Sequence, residues 1–150
     1  MPLPEVPDHA IEFKAAAVDW RDAVRHAGAA LVRCGAATDA YTARMIGVVD
    51  EFGAYIVVAP GLALAHARPG RDVARDALSV VTLAEPVAFG HPHNDPVSVV
   101  VGIASASADS HVSLVAEVAN VFNDPGAIPA LLAATTADDV RAVFAREAGV

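Results

Sequence analysis

Two nearly uninterrupted apolar runs, Leu78 to Leu83 and Val97 to Ala104, constrain this chain more than any other feature. A strand with one face in water alternates polar and apolar side chains. A strand that is apolar at almost every position needs cover on both faces. Neither run, even extended to Ala108, reaches the roughly 18 residues of a membrane-spanning helix. Both runs therefore read as buried strands within a layered domain.

Helical spacing on either side of the runs supplies that cover. Trp20, Ala23, Val24, Ala27, Ala30, Leu31 and Cys34 recur at helical intervals behind Asp19, a suitable N-cap, and Gly35 is a natural stop. Thr38 is placed to cap a second helix with Tyr41, Met45, Ile46, Val49 and Phe52 on its apolar face, ended by Gly53. Beyond the runs, Asp109 or Ser110 is placed to cap a third helix with Val112, Val115, Val118, Ala119 and Phe122 inward, and Asp124–Pro125 breaks it. A short helix is expected around Ile128 to Ala133, and a last one, capped by Thr136, buries Val140, Val143 and Phe144. Short extended pieces are expected at Ile11–Lys14, Tyr55–Val58 and Leu62–His66, with a turn at Pro60–Gly61 and a loop over Gly90–Pro96. The expected fold class is α/β: a single layered domain over residues 1–150, with a mixed β-sheet flanked by helices.

Composition narrows the partners. Hydrophobic residues make up 55 % of the chain, enough for a proper core, but much of this is Ala and Val, so the core is expected to rest on close packing of small side chains. The formal net charge of −8 argues against nucleic acid and anionic membrane surfaces and favours a basic protein partner. Pro2, Pro4, Glu5, Pro7 and Asp8 interrupt any apolar leader, and the lone Cys34 cannot form an internal disulfide. A cytoplasmic protein with no direct membrane insertion is the expectation.

Six histidines are the candidates for chemistry. His9 lies in a terminus expected to fray, and His26 on the first helix. His91–Pro92–His93 sets two imidazoles in a loop, but zinc wants at least three protein ligands and no third is evident, so no metal is assigned. Cys34 falls on an apolar helix face and reads as a small buried hydrophobe. His66 ends an extended piece just before a loop, with the small neighbours Ala65 and Ala67 leaving its ring uncrowded. An ordinary imidazole titrates near ~6.5, so at neutral pH one nitrogen offers a lone pair as base or nucleophile. A hydrogen-bonded strand-end histidine fits the same pattern. His111 falls in the first turn of a predicted helix, where backbone N–H groups lack partners and the dipole end is positive. That is a favourable place for an anion, although on the residues alone a solvent-facing first-turn histidine fits better.

The segment Pro60–Gly61–Leu62–Ala63–Leu64–Ala65–His66–Ala67–Arg68–Pro69 resembles the phosphorylation-site segment of the mannitol/fructose-type IIA proteins of the bacterial sugar phosphotransferase system, most of all their ascorbate and galactitol branch. Asp19–Trp20–Arg21, Phe89–Gly90 with Asn94–Asp95–Pro96–Val97, and Asp109–Ser110–His111 extend the resemblance over nearly the whole chain in the family's order. The resemblance implies that His66 accepts a phosphoryl group from phospho-HPr and passes it to a cysteine of a IIB component. A membrane IIC would then move a substrate such as ascorbate or a pentitol-like compound. It implies no metal or organic cofactor, and it makes His111 the second histidine, which supports the group without carrying it. Arg68 is placed to bracket phosphoryl oxygens, and Ser110 to offer a hydroxyl or to cap the helix.

Two positions depart from the family pattern. Ala65 stands where a proline usually precedes the active histidine. Asp50, followed by Glu51, stands where the mannitol branch has an arginine, which leaves Arg68 as the substitute cation. Two other functions remain open on sequence: a regulatory, nitrogen-type IIA that serves no transporter, and a small hydrolase using His66 and His111 as acid and base.

Overall fold

The computed structural model describes residues 3–148. In chain order the elements are β1 (Ile11–Ala15), α1 (Trp20–Arg33), α2 (Asp39–Phe52), β2 (Val57–Ala59), β3 (Leu62–His66), β4 (Ala77–Val87), β5 (Val97–Ala104), α3 (Ala108–Val121), α4 (Ala127–Ala133) and α5 (Ala137–Ala148). The sheet order is β1-β4-β5-β3-β2. β1 runs parallel to β4 and β3 parallel to β5, while β4/β5 and β2/β3 are antiparallel. The sheet is mixed and layered between helices, as the sequence led one to expect.

The two apolar runs are the central strands β4 and β5, and both of their faces are filled. Val81, Leu83, Val97 and Val100 face a core shared with α1 and α2. Leu78, Val80, Val99, Val101 and Ile103 face a second core shared with α3, α4 and α5. The two polar residues inside the β4 run are buried but satisfied. Ser79 donates to the Ala27 carbonyl at 2.8 Å, and Thr82 accepts from the Lys14 amide at 2.9 Å.

Small residues let α1 approach its neighbours. A Cβ on Gly102 would lie 2.3 Å from Ser79 Oγ and 3.3 Å from the Ala27 carbonyl, so β5 is bare where α1 crosses it. A Cβ on Gly28 would lie within 2.7 Å of three Thr42 atoms, Cβ included, so rotating the threonine cannot make room and α1 and α2 would have to part. Close packing of this kind replaces the large aromatic core the composition lacks.

Several boundaries differ from expectation. Residues Asp8–Ala10 form a 3₁₀ turn, so His9 is not in a frayed end. The second extended piece is Val57–Ala59, with Tyr55 in a turn closed by the Val57 amide on the Ala54 carbonyl. β4 continues to Val87. Thr38 occupies the N-cap of α2 but makes no side-chain cap bond. The cap of α3 is Ser107 rather than Asp109 or Ser110. Ser107 and Ser110 form a reciprocal capping box, which starts the helix earlier than its first carboxylate suggests. Asp19 and Thr136 do act as caps, accepting from the amides of Asp22 at 2.8 Å and Asp139 at 3.1 Å.

Candidate functional site

β3 and β5 are parallel neighbours, so both leave the sheet at the same edge. His66 is the last residue of β3, in register with Ile103 of β5. Three residues beyond β5, α3 begins, and His111 sits in its opening turns. Parallel strands that end together leave a crevice at their C-terminal edge. Here an imidazole stands on each side of it, with ring centroids 5.4 Å apart.

The electronics of His66 follow from one hydrogen bond. Its Nδ1 lies 2.8 Å from the Leu64 carbonyl oxygen, which can only accept. The proton therefore sits on Nδ1, and the lone pair is left on Nε2. Burial pushes the His66 pKa below its ordinary value, and the Leu64 bond offsets this only in part. The ring is thus neutral, oriented and nucleophilic at neutral pH.

His111 is also held below the ordinary value, first by burial, then by the His66 ring and the Arg68 guanidinium. Its Nδ1 is buried without a hydrogen-bond partner among the described residues. The Arg68 charge is thus felt inside the crevice. The Arg68 carbonyl accepts from Arg44 at 2.8 Å, and Arg44 is itself held by both oxygens of Asp72, each at 2.7 Å. Arg44, Glu51, Phe52, Ala67 and Arg68 line a groove of about 480 Å³ beside the crevice. Tyr55 stands edge-on to His66 at 6.1 Å, with Phe52 against Tyr55 at 6.5 Å.

The structure thus brings His66, His111 and Arg68 together. It gives Ser110 other work. The Ser110 hydroxyl bonds within the Ser107 capping box and lies 3.0 Å from Asp76, whose carboxylate also accepts the Ala106 amide at 2.7 Å. Asp50 is not aimed at the crevice, because it forms an ion pair with Arg21, which stacks over Trp20 at 4.5 Å. The His91 Nδ1 accepts the amides of His93 and Asn94 and so shapes its own loop. No group of three or more metal-binding side chains occurs among the described residues. Cys34 is partly buried and donates to the Leu31 carbonyl.

Sequence reasoning did not find Tyr41, Arg44 or Asp76 as neighbours of the site. A tyrosine on an apolar helix face must still place its hydroxyl, and that is the signal by which Tyr41 could have been found. Nothing local marked Asp76.

The architecture is that of the mannitol-type IIA proteins. The crystal structure of IIA mannitol from Escherichia coli matches with a TM-score of 0.81 over 94 % of this chain and 99 % of that one, at 22 % identity. A crystal structure from Streptococcus mutans, designated a PTS IIA (PtxA), matches with a TM-score of 0.86 at 31 % identity, over 99 % of this chain and 96 % of that one. The model of the family "Phosphoenolpyruvate-dependent sugar phosphotransferase system, EIIA 2" matches residues 6–147, and the chain belongs to that family of phosphoryl carriers. It is 34 % identical over 134 residues to the ascorbate-specific PTS system EIIA component of Salmonella choleraesuis, covering 89 % of this chain and 87 % of that protein. The protein of the same name in Escherichia coli K12 is 34 % identical over 131 residues, covering 87 % and 85 %. No helix among the described residues is long and apolar enough to cross a membrane.

Proposed function

We propose that His66 carries the phosphoryl group on Nε2. It takes the group from phospho-HPr and passes it to a cysteine of a cytoplasmic IIB component, for uptake of ascorbate or a pentitol-like substrate through a membrane IIC. The observation that carries this reading is the Nδ1–Leu64 bond, which leaves Nε2 as the free nucleophile. The substrate rests on identity to the ascorbate-specific relatives, and the IIB partner on the Escherichia coli complex of IIA and phosphorylated IIB of the mannitol system, which shares this fold.

In the transfer, Nε2 attacks the phosphorus in line. The bond from phosphorus to the HPr nitrogen breaks as the bond to Nε2 forms. Positioning and charge stabilisation supply the catalysis. The incoming oxygens meet His111 and Arg68, and the Leu64 carbonyl keeps the Nδ1 proton in place. Passing the group to a thiolate repeats the exchange, with Nε2 as the leaving atom. Phosphoenolpyruvate, enzyme I and HPr should together add one acid-labile, base-stable phosphate, mapping to His66. A stable phosphate on Cys34 or His111 would defeat the assignment. Failure of any IIB to accept the group would favour the regulatory role.

Arg68 gives a graded test. Arg68→Gln keeps much of the stem and removes the charge. One charge-assisted contact is worth roughly 1.5–3 kcal/mol, so the phosphoryl equilibrium should shift toward HPr by about ten- to a hundredfold. The equilibrium constant at two salt concentrations checks this. An unchanged constant would leave His111 and the helix terminus as sufficient.

A further inference from the structure

Tyr41 is fully buried on α2, and its hydroxyl reaches the point where β3 and β5 part. The Ala67 amide donates to the Tyr41 hydroxyl oxygen at 3.0 Å. The same oxygen lies 2.5 Å from the Ile103 carbonyl and 3.2 Å from the Ala67 carbonyl. A hydroxyl has one proton, and the shorter contact, to Ile103, is where it goes. Ile103 is the register partner of His66, so a direct rung from the Ala67 amide to the Ile103 carbonyl is the next one a parallel ladder can make. The phenol oxygen bonds both of these groups and so bridges the two strand ends.

The two flanks of this bridge lead straight to the two imidazoles. Ala67 follows His66 directly. Ile103 leads through Ala104 and a three-residue connection into α3 and His111. Arg44, one turn along α2 from Tyr41, has its guanidinium 5.3 Å from the Tyr41 ring and holds the Arg68 carbonyl. One helix thus grips both residues that follow His66. Burial pushes the Tyr41 phenol up to about 12, so the bridging hydroxyl keeps its proton at any working pH.

We propose that Tyr41 is a positioning residue for phosphoryl transfer. Its hydroxyl, bridging Ala67 and Ile103, sets the separation of His66 and His111 across the crevice. The proposal rests on His66 being the phosphoryl acceptor. Tyr41→Phe removes the bridge and keeps the ring, so the strand ends either close on each other or keep two unpaired groups. Val49→Ala, two turns along the same buried face of α2, is the control for lost stability.

The experiment is single-turnover transfer from phospho-HPr over a range of HPr concentrations. Displacement of reacting groups by even 1 Å can cost up to about a hundredfold. Tyr41→Phe should slow the maximal rate by about tenfold or more and leave the half-saturating HPr concentration unchanged, while Val49→Ala stays within about twofold of wild type. Equal slowing in both variants, or a wild-type rate in Tyr41→Phe, overturns the proposal while leaving His66 as acceptor. A wild-type protein unphosphorylated at His66 sinks the acceptor assignment and the proposal with it. If Tyr41→Phe does not fold, the wild-type protein decides by NMR. The Tyr41 hydroxyl proton should exchange slowly and shift when His66 is phosphorylated. A signal that does not move overturns the proposal.

Discussion

His66→Ala is expected to take up no phosphate from phospho-HPr, while keeping its fold. Among the described residues, the His66 ring alone in the crevice combines a free lone pair with a held opposite nitrogen, and alanine supplies neither. His111 has no such bond to fix its tautomer, so it is not expected to take over. The variant's folding should survive, since the ring sits at a strand end and only partly in the core. The wild-type pH profile gives a companion result. Burial lowers the His66 pKa, so the ring stays neutral further into acid than an ordinary imidazole would. Acceptance should decline toward acid with a midpoint below about 6.5, the ordinary imidazole value, as the lone pair is lost. A decline centred above 6.5 would show that the ring is not shielded as described. Incorporated phosphate, measured by mass spectrometry for both proteins, decides the first point.

His111→Ala is expected to accept phosphate and hand it on badly. In the free protein His111 is held neutral by burial and by the two cationic or ionisable groups it faces. A phosphoryl dianion on His66 reverses that balance. An opposite charge within a few ångströms favours the protonated ring, so the His111 pKa should rise on phosphorylation. The imidazolium then donates to a phosphoryl oxygen. Its loss should cost roughly 1.5–3 kcal/mol of stabilisation where charge develops, which is about ten- to a hundredfold in the rate of transfer to IIB. Rapid-quench assays with IIB measure the rate, and NMR titration of the His111 ring before and after phosphorylation measures the pKa. If His66→Ala and His111→Ala behave alike, the division of roles is wrong.

How much was legible in the sequence depends on the range of the cause. β5 and β3 were placed with their correct ends, because burial on both faces and a Pro–Gly turn are written in consecutive residues. His66 stood out because a strand end and small neighbours are also local. The cap of α3 was misplaced because three hydroxyl or carboxylate residues compete within a few positions, and the capping box that favours the earlier start is backed by tertiary bonds from Ala106 and Ser110 to Asp76. The acid at position 50 looked hostile to a phosphate. Its pairing with Arg21, on another helix, cannot be read from spacing. The grip of α2 on residues 67 and 68 was equally hidden, since it depends on where that helix crosses the sheet edge.

The far end of β3 bears on the crevice as the fixed end of a ruler bears on its last mark. Gly61, at φ +82°, accepts the amides of Ser98 and Val99 and donates to the Asn94 carbonyl. Along β3, Leu62 and Leu64 enter one core and Ala63 and Ala65 the other. A slip of one residue would exchange large for small on both faces. A slip of two would keep the faces, but it would carry His66 about 6–7 Å along β5, out of reach of His111. The anchorage at Gly61 opposes that second slip from one end of β3 and the Tyr41 bonds to Ala67 and Ile103 oppose it from the other, so the spacing of the reacting groups is set in part a whole strand length away from them. Lengthening or shortening the Gly90–Pro96 loop is therefore a change to the site, although the loop lies at the other end of the strands.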